Sequence, residues 1–284
     1  MQTIKLGEVE LTRVLEWQGP FAPAATILPD AAPEAWHQFA PDFWQDGMFT
    51  AALQTWVLRS EGRTILVDTG IGDVQLPQET RPRDMLPALL AAVGIRPHDV
   101  DVVVNTHLHY DHVGWNTVDH GDGRVPTFPR ATYLIPAADE SARRTSTADD
   151  RMSYADTVAP IVEAGQALLW DGTHRIDGNL TLESAPGHTP GSAVLRLASG
   201  TDRAVFVGDL LHSPVQIVHP EHSSCFDEDP DAARRSRIRT LARAADEREL
   251  VIPAHFGGAG AAEVRRAGDR FAISSWAGGL LRRG

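Results

Sequence analysis

Short apolar runs that alternate with helical patterns are the feature that most constrains the fold of this chain. The runs predict strands because they are brief and end in turn residues. They cover residues 54–59, 64–67, 100–105, 132–135, 180–185, 193–197, 204–207 and 250–252. Two longer patterns predict helices at residues 82–93 and 231–246. Strands and helices alternate in both halves, so the sequence predicts an α/β layered architecture.

Charge limits the classes of partner. The formal net charge is −12, which repels phosphodiester backbones. The arginines nearest to a basic patch fall in the second predicted helix, and we expect them to form its solvated face: Arg234, Arg235, Arg237, Arg239 and Arg243. The buried face of that helix is predicted to carry Ile238, Leu241, Ala242 and Ala245. We therefore do not expect nucleic acid as a partner.

Histidines and an aspartate crowd into a short segment directly after one of the apolar runs. His107 and His109 are two positions apart, so in extended chain both side chains project to the same side and can grip one ion. Asp111 and His112 follow where the chain turns, and they can reach a second ion. Histidine is seldom a core residue and a bare buried carboxylate is costly, so the cluster indicates a metal site.

Further metal-binding side chains follow later strand-like runs. His188 lies in a Pro-Gly-His turn, Asp209 follows Gly208, and His255 comes after the last run. Taken singly, each is explained as a turn residue or a helix cap. Together they favour a shared site, because α/β folds place ligand groups at strand ends.

These motifs resemble the metallo-β-lactamase superfamily. The His-x-His-x-Asp-His signature at residues 107–112 is followed by the Pro-Gly-His turn, the Gly-Asp strand end and the late histidine. It is preceded by a strand that ends in Val67-Asp68-Thr69-Gly70. The resemblance covers roughly residues 50–260 and implies an αββα sandwich with metals at one edge.

By this resemblance the chain holds two Zn²⁺ ions, although iron, cobalt or manganese also suits such donors. The ligands of the first ion would be His107, His109 and His188, and those of the second Asp111, His112 and His255. Asp209 would bridge the ions and Asp68 would orient a ligand histidine. Two ions can share a hydroxide nucleophile, and we expect Asp111 to pass a proton to the leaving group.

A second, weaker resemblance is to the lactonase and methyl-parathion-hydrolase-like branch. It rests on the bridging Asp209, on the segment before Leu53, on Trp115 and on Leu210-Leu211-His212-Ser213-Pro214. It implies a hydrolase that cleaves an ester-type bond in a small molecule, with a lactone as the expected substrate. The expected pocket-lining residues are Trp115, His212, Phe226 and Phe256.

Other activities stay open. A glyoxalase II-like thioesterase, a phosphotriesterase or a β-lactamase could use the same pair of ions. The alternative of another class is a mononuclear iron dioxygenase that oxidises sulfur substrates, and metal counting would distinguish it. The net charge disfavours a nuclease of this fold. A non-catalytic sensor that keeps the metals is also compatible with the sequence.

The chain is expected to form one domain over residues 1–284. Residues 1–50 are predicted to be an extension that packs near the active site or forms a dimer contact, so the protein would be a monomer or a homodimer. No apolar run reaches the roughly 18 residues that span a bilayer. Cys225 is the single cysteine and allows no intramolecular disulfide. We therefore expect a cytoplasmic protein without a membrane partner.

Overall fold

The computed structural model describes residues 2–73, 85–146 and 150–277. The chain divides into two compact units, each with its own hydrophobic core. The first unit comprises residues 1–16 and 53–178, and the second comprises residues 17–52 and 179–284. This division does not test the prediction of a single domain over residues 1–284, which stays a prediction.

The strands in chain order are β1 (Gln2–Leu6), β2 (Val9–Pro23), β3 (Trp44–Gln45), β4 (Met48–Ser60), β5 (Arg63–Val67), β6 (Val102–Val104), β7 (Thr117–Asp119), β8 (Arg124–Pro126), β9 (Thr132–Pro136), β10 (Ala167–Trp170), β11 (Thr173–Arg175), β12 (Leu180–Ser184), β13 (Ala193–Ser199), β14 (Asp202–Gly208), β15 (Leu250–Pro253), β16 (Ala262–Ala267) and β17 (Arg270–Trp276). The helices are α1 (Ala24–Ile27), α2 (Glu34–His37), α3 (Met85–Ala92), α4 (Tyr110–Val113), α5 (Ala137–Thr145), α6 (Asp150–Thr157), α7 (Ala159–Glu163), α8 (Val215–Val218) and α9 (Pro230–Glu247). Each predicted strand overlaps one of these strands.

The first unit is built on a sheet with strand order β1-β2-β4-β5-β6-β9-β10. Strands β5, β6, β9 and β10 are parallel, with Ile65 opposite Val102 and Val102 opposite Thr132. The Val- and Ile-containing strands β5, β6 and β9 are mostly buried, as is usual for parallel strands, whereas the edge strand β10 exposes Leu168 and Leu169. Because β5 and β6 are parallel, the residues that follow both strands emerge at the same edge of the sheet.

Helix α3 packs against this sheet and occupies the described part of the predicted helix at residues 82–93. It buries Leu86 and Leu90, while Leu89 and Val93 are partly buried against the same core. Gly94 has φ of +76° and ends the helix as expected. Residues 82–84 of the prediction lie outside the described residues.

The second unit contains a sheet in which β12 to β17 pair in sequence order. The pairs β12–β13 and β13–β14 are antiparallel, whereas β14 and β15 are parallel. Strands β12, β14 and β15 therefore run in the same direction, and their carboxyl ends lie at one edge. Asp209 follows β14 and His255 follows β15, and His188 lies four residues beyond the end of β12. The topology thus explains why these distant residues converge.

Helix α9 begins one residue before its predicted start, and its buried face was predicted in part, since Leu241 is buried while Ala242 and Ala245 are partly buried against the core. Asp229 caps its first turn by accepting a hydrogen bond from the backbone of Ala232. Arg237 is fully buried, whereas Ile238 is 41% exposed. The cause is that polar partners surround the Arg237 guanidinium, as described below, and this places position 238 towards solvent.

The aromatic residues of the segment 17–52 are mostly core residues of the second unit. Trp36, Phe43 and Phe49 are buried, and Phe43 stacks on Trp276 with ring centroids 5.1 Å apart. Phe21 is instead 53% exposed. A role of residues 1–50 beside an active site or in a dimer stays a prediction. Among the described residues, no helix has the length and hydropathy needed to cross a membrane.

Candidate metal centre

The loop after β6 carries the histidine-rich signature of the first unit. Nε2 of His107 and Nδ1 of His109 face each other at 3.0 Å, and the two rings meet edge to face. The ring centroids of His107 and His112 are 4.0 Å apart. Oδ2 of Asp111 lies 3.7 Å from Nε2 of His112. The structure therefore brings all four donors of the signature together at the edge of the first sheet.

Asp68 fixes the orientation of two of these histidines. Its Oδ1 accepts a hydrogen bond from the backbone N–H of Thr106, and its Oδ2 accepts one from the Thr106 hydroxyl, both at 2.8 Å. The same Oδ2 lies 2.8 Å from Nδ1 of His112, which must donate to it. The Thr106 hydroxyl in turn accepts from Nδ1 of His107 at 3.2 Å. One carboxylate thus sets the proton position on both rings, as carboxylates commonly do beside metal ligands.

A second buried carboxylate, Asp139, holds the backbone of the signature. Its Oδ2 accepts a hydrogen bond from the N–H of Leu108 at 3.0 Å, and the side chain is fully buried. Sequence reasoning missed it, because an aspartate in the first turn of α5 looks like an ordinary helix-start residue. No local pattern in the sequence links residues 108 and 139.

Asp209 is the centre of the donor group in the second unit. Its Oδ2 lies 3.3 Å from Nε2 of His188, and its Oδ1 lies 3.1 Å from Nε2 of His255. The Asp209 side chain is buried, as are both histidines. The structure brings these three residues together within this unit, and their role as metal ligands stays a prediction.

The other nitrogen of each histidine is held from outside the group. Nδ1 of His255 donates to the carbonyl oxygen of Ala52 at 2.9 Å. Nδ1 of His188 donates to Oδ1 of Asp227 at 3.2 Å. Burial acts to raise the pKa of Asp227, but its hydrogen bond with His188 and the nearby charge of Arg237 hold that pKa below its usual range. Asp227 therefore stays an acceptor, and both histidines carry their proton on Nδ1.

This proton pattern fits bound cations. A histidine that donates through Nδ1 presents a lone pair at Nε2. In the second unit those lone pairs face the oxygens of Asp209, and two acceptors at such distances repel each other unless a positive charge lies between them. In the first unit Nε2 of His107 lies 3.0 Å from Nδ1 of His109, and the tautomer of His109 decides whether this pair is a hydrogen bond or two facing acceptors. Imidazole nitrogens with carboxylate oxygens are the donors that Zn²⁺ prefers, so the residues fit the ions that the family resemblance implies.

His212 adds a further imidazole beside Asp209. Its Nε2 lies 3.3 Å from Oδ2 of Asp209 but outside hydrogen-bonding geometry. Its ring stacks on that of His255, with centroids 5.9 Å apart. Burial lowers the pKa of His212 and outweighs the opposing charge of Asp209, so the ring is neutral at neutral pH.

The predicted pocket residues differ in placement. Phe226 is 43% exposed, and its ring lies 5.7 Å from that of His212. Trp115 is buried in the core of the first unit, and Phe256 is buried in the core of the second, where it packs against Phe43. Burial favours a packing role for these two aromatics, and pocket lining stays a prediction for all four residues.

Another group of metal-type side chains lies on the surface of the second unit. His219, Glu221 and His222 bring donor atoms within 4.8 Å of one another. Arg270 already occupies this group, because its Nη2 lies 3.3 Å from Glu221 and its Nη1 lies 2.9 Å from Nδ1 of His219. The guanidinium supplies the positive charge, so the group is a surface ion-pair network.

Comparison with known proteins places the chain in a family. The family model described as the Metallo-beta-lactamase superfamily matches residues 54–255. The Rattus norvegicus protein "Metallo-beta-lactamase domain-containing protein 1" is 30% identical over 195 residues, which is 67% of this chain and 61% of that protein. The chain thus spans about three fifths of the length of the curated relatives of that name.

Solved structures show the same fold. AidC, a dizinc quorum-quenching lactonase in complex with a product, superposes with a TM-score of 0.81 at 24% identity, covering 96% of both chains. The hydrolase AbOPH of the beta-lactamase superfamily gives a TM-score of 0.80 at 21% identity, covering 95% of both chains. The predicted α/β fold class is therefore confirmed, and this chain belongs to the metallo-β-lactamase superfamily.

Proposed function

We propose that this chain is a dinuclear metal-dependent hydrolase that cleaves an ester-type bond, and that its substrate is a lactone. The observation that carries the proposal is the arrangement around Asp209. Two histidines held by Nδ1 present Nε2 to the two oxygens of one carboxylate, at 3.3 and 3.1 Å. A carboxylate approached through both oxygens suits a ligand shared by two ions.

The assignment of ligands follows the superfamily pattern. One ion would be held by His107, His109 and His188, and the other by Asp111, His112 and His255. Asp209 would bridge them. When bound, two such ions supply Lewis acidity and an activated water at neutral pH. Zinc is the proposed metal because AidC is described as a dizinc lactonase.

The chain's own residues supply orientation and a proton path. Asp68 and Asp227 hold Nδ1 of His112 and of His188, so each ring keeps its Nε2 lone pair directed inward. Asp111 is less buried than the histidine next to it, with 22% of its side chain exposed. We assign to its carboxylate the transfer of a proton from the attacking water to the leaving alkoxide.

The lactone is proposed over other esters because AidC was solved with a product of lactone opening, an acylated L-homoserine. The exposed ring of Phe226 beside His212 supports this, since it offers an apolar surface for an acyl chain. The net charge of −12 favours an uncharged substrate over a polyanion.

Elemental analysis followed by a substrate panel tests the proposal. We expect two zinc ions per chain and the highest kcat/KM for lactones with an acyl chain, above aryl esters, thioesters, phosphotriesters and β-lactams. Asp209→Ala should lose the second equivalent of zinc and at least about 100-fold in kcat/KM, because the shared ligand is gone. Asp269→Ala, at an exposed turn of the same unit, is the matched control and should match the parent protein.

Several outcomes would contradict the proposal. Full turnover by Asp209→Ala, or by chelated protein, would remove the metal from the reaction. One iron per chain with oxygen uptake would favour the sulfur dioxygenase class. A higher kcat/KM for a thioester or phosphotriester than for every lactone would support a metal-dependent hydrolase but contradict the proposal that its substrate is a lactone.

A further inference from the structure

Arg237 is the most deeply buried charged residue of α9. Its side chain has 0% relative exposure, and its Nη2 lies 3.1 Å from Oδ2 of Asp227, which is also 0% exposed. Nε donates to the carbonyl of Leu210 at 2.8 Å, and Nη1 donates to the carbonyl of His222 at 2.8 Å and to that of Pro220 at 3.1 Å. A guanidinium is buried at this depth only when hydrogen bonds replace its water, so this residue has a fixed position.

Asp227 connects this guanidinium to a proposed metal ligand. Its Oδ2 receives Arg237 and the backbone N–H of Ser224, the latter at 3.0 Å, while its Oδ1 accepts from Nδ1 of His188 at 3.2 Å. Both carboxylate oxygens are therefore engaged, and the plane of the carboxylate is set by three partners. The direction of the His188 ring depends on that plane.

The backbone of His188 is held by the same helix and by the loop that precedes it. The carbonyl of His188 accepts from the N–H of Glu228 at 3.1 Å, and that of Gly187 accepts from the N–H of Asp229 at 2.9 Å. Gly187 has φ of +140°, and a Cβ added there would lie 2.0 Å from the backbone nitrogen of Ala233. The turn that carries His188 is thus pressed against the first turn of α9.

Arg237 also reaches the segment that carries the second donor. Leu210, whose carbonyl accepts from Nε of Arg237, directly follows Asp209. One rigid planar group therefore contacts the support of His188 on one side and the neighbour of Asp209 on the other. His188 Nε2 and Asp209 Oδ2 are 3.3 Å apart, and the contacts of Arg237 with Asp227 and with Leu210 hold the two segments that carry them.

We propose that Arg237, acting through Asp227, is a positioning residue that sets His188 and Asp209 for metal binding. This inference rests on the proposed function, because it assigns to both residues a role as metal ligands. In this role Arg237 acts through its hydrogen bonds and would contact neither substrate nor ion. It pairs with the buried Asp227, fixes the plane of the carboxylate that accepts from Nδ1 of His188, and holds Leu210, the neighbour of Asp209, in place.

Zinc affinity measured against a chromophoric chelator tests this role independently of turnover. We expect Arg237→Met and Asp227→Asn to weaken one of the two zinc ions by about 10–100-fold and to leave the other unchanged. Arg237→Lys should recover part of that loss, because an ammonium can pair with Asp227 but cannot also serve Leu210. The matched control is Arg235→Met, an exposed arginine on the same helix, which should bind zinc as the parent protein does.

The visible spectrum of the cobalt-substituted protein gives a second readout. The d–d bands should change in Arg237→Met and in Asp227→Asn, because the angle of the His188 ligand changes. A lower unfolding temperature with unchanged zinc affinity and an unchanged spectrum would show a merely structural role and overturn the inference. If Arg237→Met does not fold, the nearly isosteric Asp227→Asn decides by the same two measurements.

The outcomes also separate this inference from the proposed function. A parent protein that binds two zinc ions while the variants bind them equally well contradicts the inference alone. A parent protein that binds no zinc contradicts the proposed function, and the inference falls with it.

Discussion

Asp68 orients two imidazoles from one buried position, although it would contact neither ion. It adopts a left-handed backbone conformation with φ of +57°, which aspartate tolerates better than most residues. From there it accepts from Thr106 twice and from Nδ1 of His112. Because the Thr106 hydroxyl donates its hydrogen bond to Asp68, its oxygen can accept a hydrogen bond from Nδ1 of His107. The tautomers of both histidines therefore depend on the charge of one carboxylate.

Asp68→Asn should separate metal affinity from stability. An Asn amide can donate to the Thr106 hydroxyl and to Nδ1 of His112, which would shift the His112 proton onto Nε2. We expect zinc affinity to fall by about 10–100-fold, while the unfolding free energy of metal-free protein falls by only about 1 kcal/mol. Chelator competition and thermal unfolding measure the two quantities. Asp122→Asn, exposed in the β7–β8 turn, is the control.

An Asp68→Asn protein with parental zinc affinity would show that the tautomer of His112 is not set by this carboxylate. A loss of stability as large as the loss of metal binding free energy would instead show that Asp68 acts on the fold.

Residue types and spacing were enough to propose the donor residues, whose role as metal ligands stays a prediction, but not to find the residues that support them. His107, His109 and His112 lie within six positions and carry their own signal. Asp227 and Arg237 lie 39 and 49 positions from His188, and neither interrupts a local pattern. An arginine within a polar helix is predicted to be solvated. The sequence does not show that three backbone carbonyls and a carboxylate accept hydrogen bonds from Arg237.

At the scale of elements, the loop after β5 and helix α4 interlock through their backbones. The N–H of Thr69 donates to the carbonyl of His112, and the N–H of Gly114 donates to that of Gly70, both at 2.8 Å. Gly114 has helical backbone angles, so the backbone conformation itself does not require glycine at this position. A Cβ there would lie 2.1 Å from the carbonyl carbon of Ile71. The close approach of these two segments is what places His112 beside Asp68.

Gly114→Ala should therefore destabilise the first unit by about 3 kcal/mol, because the added methyl group must push two backbone segments apart. The control is Gly165→Ala, where φ is +69° and nothing lies within 4 Å of the added Cβ. That change should cost about 1 kcal/mol from the left-handed conformation alone. Denaturant unfolding of metal-free protein measures both. An equal loss of unfolding free energy in the two variants would show that the loop after β5 moves aside for the methyl group at position 114 at no additional cost.

The positions of the helices and strands were predicted better than which of their faces are buried. Strands β5, β6, β9, β14 and β15 were recognisable as apolar runs bounded by turn residues, because parallel strands buried on both faces are continuously apolar. Helix α9 was also expected, but its sequence contains few large apolar residues, so periodicity could not decide which side packs. The buried set of Ala233, Ser236, Arg237, Thr240, Leu241 and Ala244 is mixed in polarity.

At the scale of the whole molecule, the order of motifs was sufficient to identify the superfamily, because each motif follows a strand-like run and the set occurs in the order that resembles that family. The division into two compact units was not predicted. Composition and periodicity are alike in both halves of the sequence, so they give no sign of where one core ends and the other begins. Segment 17–52 illustrates this, since its buried aromatics belong to the core that residues 185–271 form.

The net charge of −12 makes the pairing of acidic groups matter for the stability of the whole chain. Glu183 on β12 lies 2.7 Å from Nε of Arg196 and 3.0 Å from Nη1 of Arg243. Burial acts to raise the pKa of Glu183, but the two arginines outweigh it and hold that pKa below its ordinary value of 4.5. A depressed carboxyl pKa stabilises the folded state above the unfolded-state pKa, and this stabilisation is lost as the pH falls through the folded-state pKa.

Glu183→Gln should accordingly lower the unfolding temperature of metal-free protein at pH 7 by about 2–4 °C, corresponding to ~1 kcal/mol. The difference from the parent protein should shrink below pH 4.5 and vanish once Glu183 is protonated in the folded state as well. Glu247→Gln is the matched control, because Glu247 contacts the same Arg243 at 3.0 Å from an exposed position and should change little at any pH. If the difference in unfolding temperature between Glu183→Gln and the parent protein persists unchanged at acid pH, the packing of the Glu183 side chain, and not its charge, accounts for its contribution to stability.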